Sequence, residues 1–471
     1  MAFDAHIAVV GLATMGQNLA LNIARNGFRV AVWNRDPKLT AEALRRADKD
    51  MQIRGAASLE ELAGLLQKPR KIILLIRAGQ PVDELIERFA PHLDRGDMII
   101  DGGNSHPDDT ERRARDLPAR GLRFVGMGVS GGAEGALLGP SLMPGGEKSS
   151  YEELQPILSK IAAKVDDGPC VTHLGLGAAG HFVKMVHNGI EYGDMQLIAE
   201  CFDVMQGVLG MPHAQMADTF DAWNHGVLES FLIEITSRIL REPDPNGGLP
   251  LVEKIVDKAG QKGTGQWTAE LALRHGVPAP TIRAAVEARG LSSMRDLRIE
   301  ASKKLRGPSA TRVSDPSLVD AVRDALYCSK ICSYAQGLDL LATVDREKGW
   351  GIDLSEVARI WKGGCIIRAR FLQRIQQAYG KGKKLANLLL DDELGGFLVA
   401  HQAAWRRVVA LGAEHGVPML AMAGSLSYFD SFRRARLPQN LTQAQRDFFG
   451  SHTFERTDGT PGVFVHHDWR S

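Results

Sequence analysis

Ile7-Ala8-Val9-Val10-Gly11-Leu12-Ala13-Thr14-Met15-Gly16-Gln17 is the stretch whose reading decides the fold. The run from His6 to Val10 is apolar and rich in β-branched residues, as a buried strand requires, and an apolar period of helical spacing extends from about Gln17 to Asn26. A second apolar run, Phe28 to Trp33, closes the unit at Asn34-Arg35-Asp36. Strand, glycine-bearing turn, helix and strand at this spacing make a βαβ unit of the dinucleotide-binding type. Gly11 permits the tight turn, Gly16 lets the helix lie close on the strand, and the open N–H groups at the helix start suit a pyrophosphate. Ala13 stands where the middle glycine is usual and narrows the approach slightly.

The end of the second strand bears on the choice of nucleotide. Neutral Asn34 followed by Arg35 suits a 2′-phosphate and favours NADP, whereas Asp36 can repel that phosphate or bond a bare ribose, which leaves NAD open. The alternation continues with strands predicted at Lys71–Ile76, Asp97–Asp101, Arg123–Met127 and near Val171–Leu174, and with helices near Val82–Phe89 and Asp108–Arg120. Ligands bind at strand ends in such sheets. Three ends carry candidate groups: Ile76-Arg77-Ala78-Gly79, Asp101-Gly102-Gly103-Asn104-Ser105, and the glycine-rich Gly126 to Gly132. The last either binds an anion through backbone N–H groups or simply turns the chain.

From about Ala179 the pattern becomes long apolar periodicities without strand alternation. Helices are predicted over 181–209, 213–222, 228–241, 250–259, 278–288, 316–347, 354–378 and 396–413. The chain therefore divides into an α/β domain over 1–178, an all-helical domain over 179–436 and a tail over 437–471. On the first of these helices Lys184, His187, Asn188, Glu191 and Tyr192 share one arc, and Phe182, Met185, Val186, Gly189, Ile190 and Gly193 share the other. A solvated face is the common explanation of a polar arc. Here the arc mixes an amine, an imidazole, an amide, a carboxylate and a phenol, and the glycines opposite imply a close neighbour there as well, which puts the polar face in a cleft. The loop Gly260 to Gly265, with Lys262 and Thr264, and Arg289 nearby suit a phosphate, although each alone reads more readily as a surface residue. The tail holds too little apolar surface for a core of its own, so it packs elsewhere on the chain or reaches a partner subunit, and Arg446 and His452 are its anion-seeking groups.

The bulk composition narrows the class. With 471 residues, 44% hydrophobic and 24% charged, and a net charge of +1, the chain is a folded multidomain protein with no general electrostatic reason to bind nucleic acid. Its five cysteines are scattered and form no CxxC pair, and no Asp, His or Cys cluster has metal-ligand spacing, so neither disulfides nor a metal are expected. No apolar run reaches membrane-spanning length and the start lacks a basic region and cleavage site, from which a cytoplasmic location is expected.

A nicotinamide domain joined to a helix bearing Lys184 and Glu191 points to hydride transfer with acid and base assistance. Seven residues separate the two along the helix, roughly 10 Å, which accommodates a substrate several carbons long. Such a lysine takes a hydroxyl proton only when neutral, and the glutamate donates only when protonated.

Gly11 to Gly16, Asn34-Arg35, Asp101-Gly102-Gly103-Asn104, Val129-Ser130-Gly131-Gly132, the run Lys184 to Gln196, Lys262-Gly263-Thr264-Gly265, Gln443 to Asp447 and Gly450-Ser451-His452-Thr453 together resemble the decarboxylating 6-phosphogluconate dehydrogenase family, in the same order and over nearly the whole chain. The resemblance implies an α/β Rossmann-type dinucleotide-binding domain, a large all-α domain and a C-terminal tail that enters the other subunit of a homodimer. It implies metal-independent oxidative decarboxylation of 6-phosphogluconate to ribulose 5-phosphate and CO2 with NADP, NAD remaining open, in the pentose phosphate pathway. Lys184 would be the base at the C3 hydroxyl and Glu191 the acid that protonates the enediol, with His187 and Asn188 beside them as catalytic residues. Asn104, Ser130, Gly131, Gly132, His187 and Asn188 would hold the carboxylate and hydroxyls; Tyr192, Lys262, Thr264, Arg289, Arg446 and His452 would hold the phosphate, the last two from the partner. The coenzyme would rest on Gly11, Leu12, Ala13, Thr14, Met15, Gly16, Asn34, Arg35, Asp36, Ile76, Arg77, Ala78 and Asn104. Two departures fall on this side: Arg77 stands where the family has Lys, and Asp36 where it has a small hydroxyl residue.

Two other functions fit parts of the pattern. A different β-hydroxyacid dehydrogenase, acting for example on 3-hydroxyisobutyrate, shares the nucleotide fold and a catalytic lysine but lacks the doubled helical domain and the Arg446/His452 tail. A dinucleotide sensor without turnover needs no intact Lys184, His187 and Glu191.

Overall fold

The computed structural model describes residues 3–308, 311–380 and 385–469. Its first part alternates as the sequence predicts: β1 (Ile7–Val10), α1 (Thr14–Arg25), β2 (Val30–Trp33), α2 (Pro37–Arg45), β3 (Ile53–Gly55), α3 (Leu59–Gly64), β4 (Lys71–Leu74), α4 (Gln80–Phe89), β5 (Met98–Asp101), α5 (Pro107–Ala119), β6 (Arg123–Val129), α6 (Gly132–Leu138), β7 (Leu142–Pro144) and α7 (Lys148–Ile161). The sheet order is β3-β2-β1-β4-β5-β6-β7, parallel throughout except that β7 runs antiparallel to β6. Strand order reverses between β1 and β4, and the crevice at their carboxyl ends is where such sheets take ligands. Alternation fills both faces. Ile7, Val9, Ile73 and Ile100 pack with Leu19, Ile23 and Leu158 on one side, and Ala8, Val10, Ile72 and Leu74 pack with Leu62, Leu85, Phe89 and Leu117 on the other. The strand predicted near Val171 is reduced to a single bridge from Val171 to Leu142.

A short hairpin, β8 (Lys164–Val165) and β9 (Gly168–Pro169), leads to α8 (Ala179–Asp203), which continues into a π-helical turn at Val204–Val208. The helical part follows: α9 (His213–Trp223), α10 (Phe231–Arg241), α11 (Thr264–Arg274), α12 (Pro280–Ser293), α13 (Arg295–Lys304), α14 (Ser317–Lys348), α15 (Leu354–Trp361), α16 (Phe371–Gly380), α17 (Asp392–His415), α18 (Leu420–Phe432) and α19 (Gln439–Gly450). The helix predicted over 250–259 is only a 3-10 turn at Leu251–Lys254; Ile255 and Val256 are exposed, so no burial within the chain supports the apolar period. The helix predicted over 354–378 is two helices, broken where Gly363 and Gly364 interpose and Gly364 adopts a left-handed φ of 63°.

α8 is buried along most of its length, packed against α11, α12 and α14 and across β6. Glycines make that crossing possible. A Cβ on Gly180 would overlap the carbonyl oxygens of Gly126 and Met143, and one on Gly128 would overlap Cβ of Lys184. On the other side of α8, a side chain at Gly189 would strike Thr268 of α11 and one at Gly193 would strike Ser333 of α14, which accounts for the glycines opposite the polar arc. The chain forms two compact units, one up to Ser425 and one from Leu426. The second contains α19 and the hairpin β10 (Phe454–Glu455) with β11 (Phe464–Val465). No helix among the described residues is long and apolar enough to cross a membrane.

Candidate active site

The polar arc of α8 meets the loop after β6. Lys184, only 6% exposed, donates from Nζ to Asn188 Oδ1 at 2.7 Å and to Ser130 Oγ at 3.1 Å. Asn188 Nδ2 donates to Thr264 Oγ1 at 3.1 Å, at the start of α11. The same Oδ1 lies 3.0 Å from His187 Nδ1, which also lies 3.3 Å from Lys184 Nζ. His187 Nε2 lies 3.3 Å from Ser130 Oγ. Trp361 meets the His187 ring edge to face, with centroids 5.6 Å apart. Each neighbour that Lys184 contacts is uncharged. Desolvation accordingly pulls its pKa down against the attraction of Glu191, and desolvation followed by repulsion from Lys184 pulls His187 well below the usual imidazole range.

One turn further on, Glu191 is partly exposed, with Oε2 3.9 Å from His187 Nδ1. Desolvation raises its pKa, opposed by Lys184 and Arg289. The two ends of the arc thus carry groups whose environments favour a neutral amine and a protonated carboxyl. Tyr192 is buried next to Glu191, and the guanidinium of Arg289 lies 3.4 Å from the centroid of its ring. Gly265 permits this, because a Cβ there would overlap the Tyr192 ring. Arg289 also donates to the Gly260 carbonyl at 3.1 Å, so the loop carrying Lys262 is tied to it, while Lys262 itself is exposed. Gly131 and Gly132, both with positive φ, open α6 beside Ser130, and Asn104 is exposed on the loop after β5. Lys184, His187, Asn188, Ser130 and Thr264 are therefore one bonded cluster, with Glu191, Tyr192 and Arg289 extending it along α8. Among the described residues no group of His, Cys, Asp and Glu has the arrangement to hold a metal ion.

The residues expected to hold the coenzyme lie at the sheet crevice. Gly11 has a φ of 93°, and a Cβ on it would strike the Leu75 carbonyl. A Cβ on Gly16 would overlap the carbonyl oxygen of Gly11. The turn is thus built from backbone alone. α1 has no acidic residue in its first turn and no side-chain cap, which leaves its N–H groups open to an anion, so the cradle fits a dinucleotide pyrophosphate. Leu12 N donates to Asn34 Oδ1 at 2.9 Å and Asn34 Nδ2 donates to the Asp36 carbonyl at 3.1 Å, which joins the turn to the end of β2. Asp36 caps α2, its carboxylate accepting from Lys38 N at 3.0 Å. Its charge is committed to that helix, whereas Arg35 and Arg77 are exposed.

In the second unit Arg446 donates to Gln443 Oε1 at 2.9 Å, and His452 stands between Ser451 and Thr453, non-glycine residues with φ of 50° and 57°. Asp447, itself buried, holds this turn, accepting from Thr453 N at 2.9 Å, His466 Nδ1 at 2.9 Å and Trp469 Nε1 at 2.8 Å. The tail is thus ordered by one carboxylate where an apolar core is lacking.

Sequence reasoning missed the segment after α15. Ser141 N donates to the Gly364 carbonyl at 2.7 Å, a Cβ on Gly131 would meet that same carbonyl at 2.6 Å, and buried Cys365 follows, its thiol pushed up to about 12 chiefly by burial. The Gly363-Gly364 pair was the available signal that no helix crosses here.

Two family profiles match the chain: the NAD binding domain of 6-phosphogluconate dehydrogenase over residues 6–175 and the 6-phosphogluconate dehydrogenase C-terminal domain over residues 180–469. The chain is 57% identical to a decarboxylating 6-phosphogluconate dehydrogenase of Synechococcus elongatus, over 98% of each chain. It is 51% identical to a chloroplastic decarboxylating form of Arabidopsis thaliana, over 98% of this chain and 97% of the relative. Among solved structures, the Plasmodium falciparum 6-phosphogluconate dehydrogenase, studied in apo form and in complexes with its cofactor NADP+ and with its substrate 6-phosphogluconate, superposes with a TM-score of 0.95 at 44% identity, covering 98% of this chain and 100% of that one.

Proposed function

The chain belongs to the 6-phosphogluconate dehydrogenase family, and from that premise we propose how its own residues divide the work of the reaction. It catalyses the oxidative decarboxylation of 6-phospho-D-gluconate to D-ribulose 5-phosphate and CO2 with reduction of NADP. The observation that carries the assignment of roles is the bonding of Lys184. Lys184 Nζ donates to Ser130 and Asn188 and lies 3.3 Å from His187 Nδ1, desolvation lowers its pKa, and as the neutral amine it takes the proton of the C3 hydroxyl. NADP, when bound, accepts the hydride from C3. The ammonium formed on Lys184 then faces the C3 oxygen and offsets the negative charge that gathers there as the C1 carboxylate leaves as CO2. Glu191, whose pKa burial raises, delivers its proton to C1 of the enediol and gives the 2-ketose.

His187, Asn188, Ser130, Gly131, Gly132 and Asn104 hold the carboxylate and hydroxyls, and His187 and Asn188 also fix Lys184. Tyr192, Lys262, Thr264 and Arg289 hold the phosphate. The coenzyme rests on Gly11, Leu12, Ala13, Thr14, Met15 and Gly16, on Asn34, Arg35 and Asp36, and on Ile76, Arg77, Ala78 and Asn104. Within this set Arg35 takes the 2′-phosphate and Asp36 acts as a helix cap, which supports a preference for NADP over NAD. The protein works as a homodimer in which Arg446 and His452 complete the phosphate site of the partner subunit. Their exposed side chains, and the exposed Phe448, Phe449 and Phe464 nearby in the sequence, support that reading.

The test is the appearance of reduced nicotinamide and of ribulose 5-phosphate, with each coenzyme in turn. Turnover of 6-phosphogluconate with NADP and none of 3-hydroxyisobutyrate is expected. Turnover of 3-hydroxyisobutyrate alone would support the other dehydrogenase, and no turnover of either would support a sensor.

A further inference from the structure

Arg113, on α5, belongs to none of the loops that face the ligands, yet it is 2% exposed and carries a charge into the protein behind them. Its guanidinium has a partner in every direction. Nε donates to Asp83 Oδ1 at 2.8 Å and Nη2 to Asp83 Oδ2 at 3.1 Å. Nη2 also donates to the Gly79 carbonyl at 3.0 Å, and Nη1 donates to Asp101 Oδ2 at 3.2 Å and Ser105 Oγ at 3.3 Å. Gly79 ends the coenzyme loop Ile76-Arg77-Ala78, and Asp83 sits in the first turn of α4 just after it. Asp101 ends β5 and shapes the loop that presents Asn104: its Oδ1 accepts from Gly103 N at 3.1 Å and its Oδ2 from Ser105 Oγ at 2.6 Å. The Asp101 carbonyl accepts from Nε2 of buried His181 at 3.0 Å, one turn before Lys184 on α8, and Thr110 of α5 holds the other ring nitrogen at 2.7 Å.

One planar fork therefore ties together the coenzyme loop, the Asn104 loop and, through Asp101 and His181, the helix that carries the base. A buried guanidinium is costly unless fully paired, and here two carboxylates compensate it. Burial alone would raise the Asp83 carboxyl, and Arg113 with Arg112 overcomes that and holds it below the usual carboxylate range. Stability alone does not require this choice, since apolar side chains in place of the whole set of Arg113 and its two carboxylates would often cost nothing, whereas removing Arg113 alone strands Asp101 and Asp83. What the fork supplies is fixed spacing between parts of the chain that are far apart in sequence.

We propose that Arg113 is a positioning residue that sets the distance between the coenzyme loop Ile76–Ala78 and the loop bearing Asn104, and so the approach of coenzyme to substrate. The inference rests on the reading of these loops given above. Arg113→Lys keeps the charge and loses the fork. The expected result is a coenzyme KM raised roughly tenfold or more, the equivalent of one charged hydrogen bond, with a fall in kcat and little change in melting temperature. Added guanidinium is expected to restore the coenzyme KM of Arg113→Ala toward the wild-type value. Ser105→Ala, which removes one shared hydroxyl without disturbing a charge, is expected to move the same constant in the same direction. An unchanged coenzyme KM in Arg113→Lys, or activity lost only in step with folded protein and not restored by guanidinium, would overturn the proposal. Should the Arg113 variants not fold, Ser105→Ala decides it: a raised coenzyme KM supports the positioning role and an unchanged one overturns it. Arg77→Ala separates the two readings, since an unchanged coenzyme KM in that variant contradicts the loop assignment, whatever Arg113 does.

Discussion

Lys184 and Glu191 share a helix, yet their surroundings move their proton affinities in opposite senses. Desolvation lowers the lysine and raises the glutamate. The sign of the pH dependence follows: activity falls on the acid side as Lys184 captures a proton and on the alkaline side as Glu191 loses one. A bell-shaped profile of kcat is expected, and Glu191→Gln should lose the alkaline fall while slowing the step after hydride transfer; an alkaline limb that persists in Glu191→Gln would assign it to another group. On the coenzyme side, Arg35→Ala should raise the KM for NADP roughly tenfold, as loss of a charge-assisted bond implies, and leave that for NAD unchanged. Steady-state kinetics with both coenzymes check this. The sequence showed Arg35 beside Asp36 but not which way the carboxylate turns, because a cap is a matter of backbone geometry.

α8 was legible as an element because its period places polar groups on one arc and glycines on the other. Its depth was not legible. That depends on Gly126, Gly128 and Gly180, which let the helix lie on the backbone of β6 and β7, far away in sequence. Gly128→Ala is expected to displace Lys184, whose Cβ occupies the space a methyl group would need. Overpacking of this kind costs roughly 1–3 kcal/mol, and kcat should fall further than the loss of stability explains. Thermal melts beside kinetics separate the two effects, and a normal kcat in a folded Gly128→Ala protein would contradict the packing argument. The same limit explains the elements misread. An apolar period extends a helix only if something buries it, which fails at Ile255 and Val256, and a pair of glycines ends one where another backbone needs the space, as at Gly363 and Gly364.

At the scale of the whole molecule the order of sheet, helices and tail followed from periodicity, while Arg113 and Asp447 did not, since a buried charge looks like any surface charge until the chain is folded around it. The proposed exchange of tails between subunits has a direct expectation. When Lys184→Ala and Arg446→Ala chains are mixed by refolding, a heterodimer regains one intact site, an active helix with a partner's intact tail. Activity at low substrate should recover to about a quarter of wild type for statistical pairing; no recovery would place the tail against its own chain. The central proposal is the division of acid and base along α8, and Lys184→Ala tests that most directly. With 6-phosphogluconate and NADP, the expected result is a fall in kcat of roughly 10²–10⁴-fold or more, as for loss of a general base, in a protein that melts normally and still binds substrate. Near-normal turnover by Lys184→Ala would contradict it.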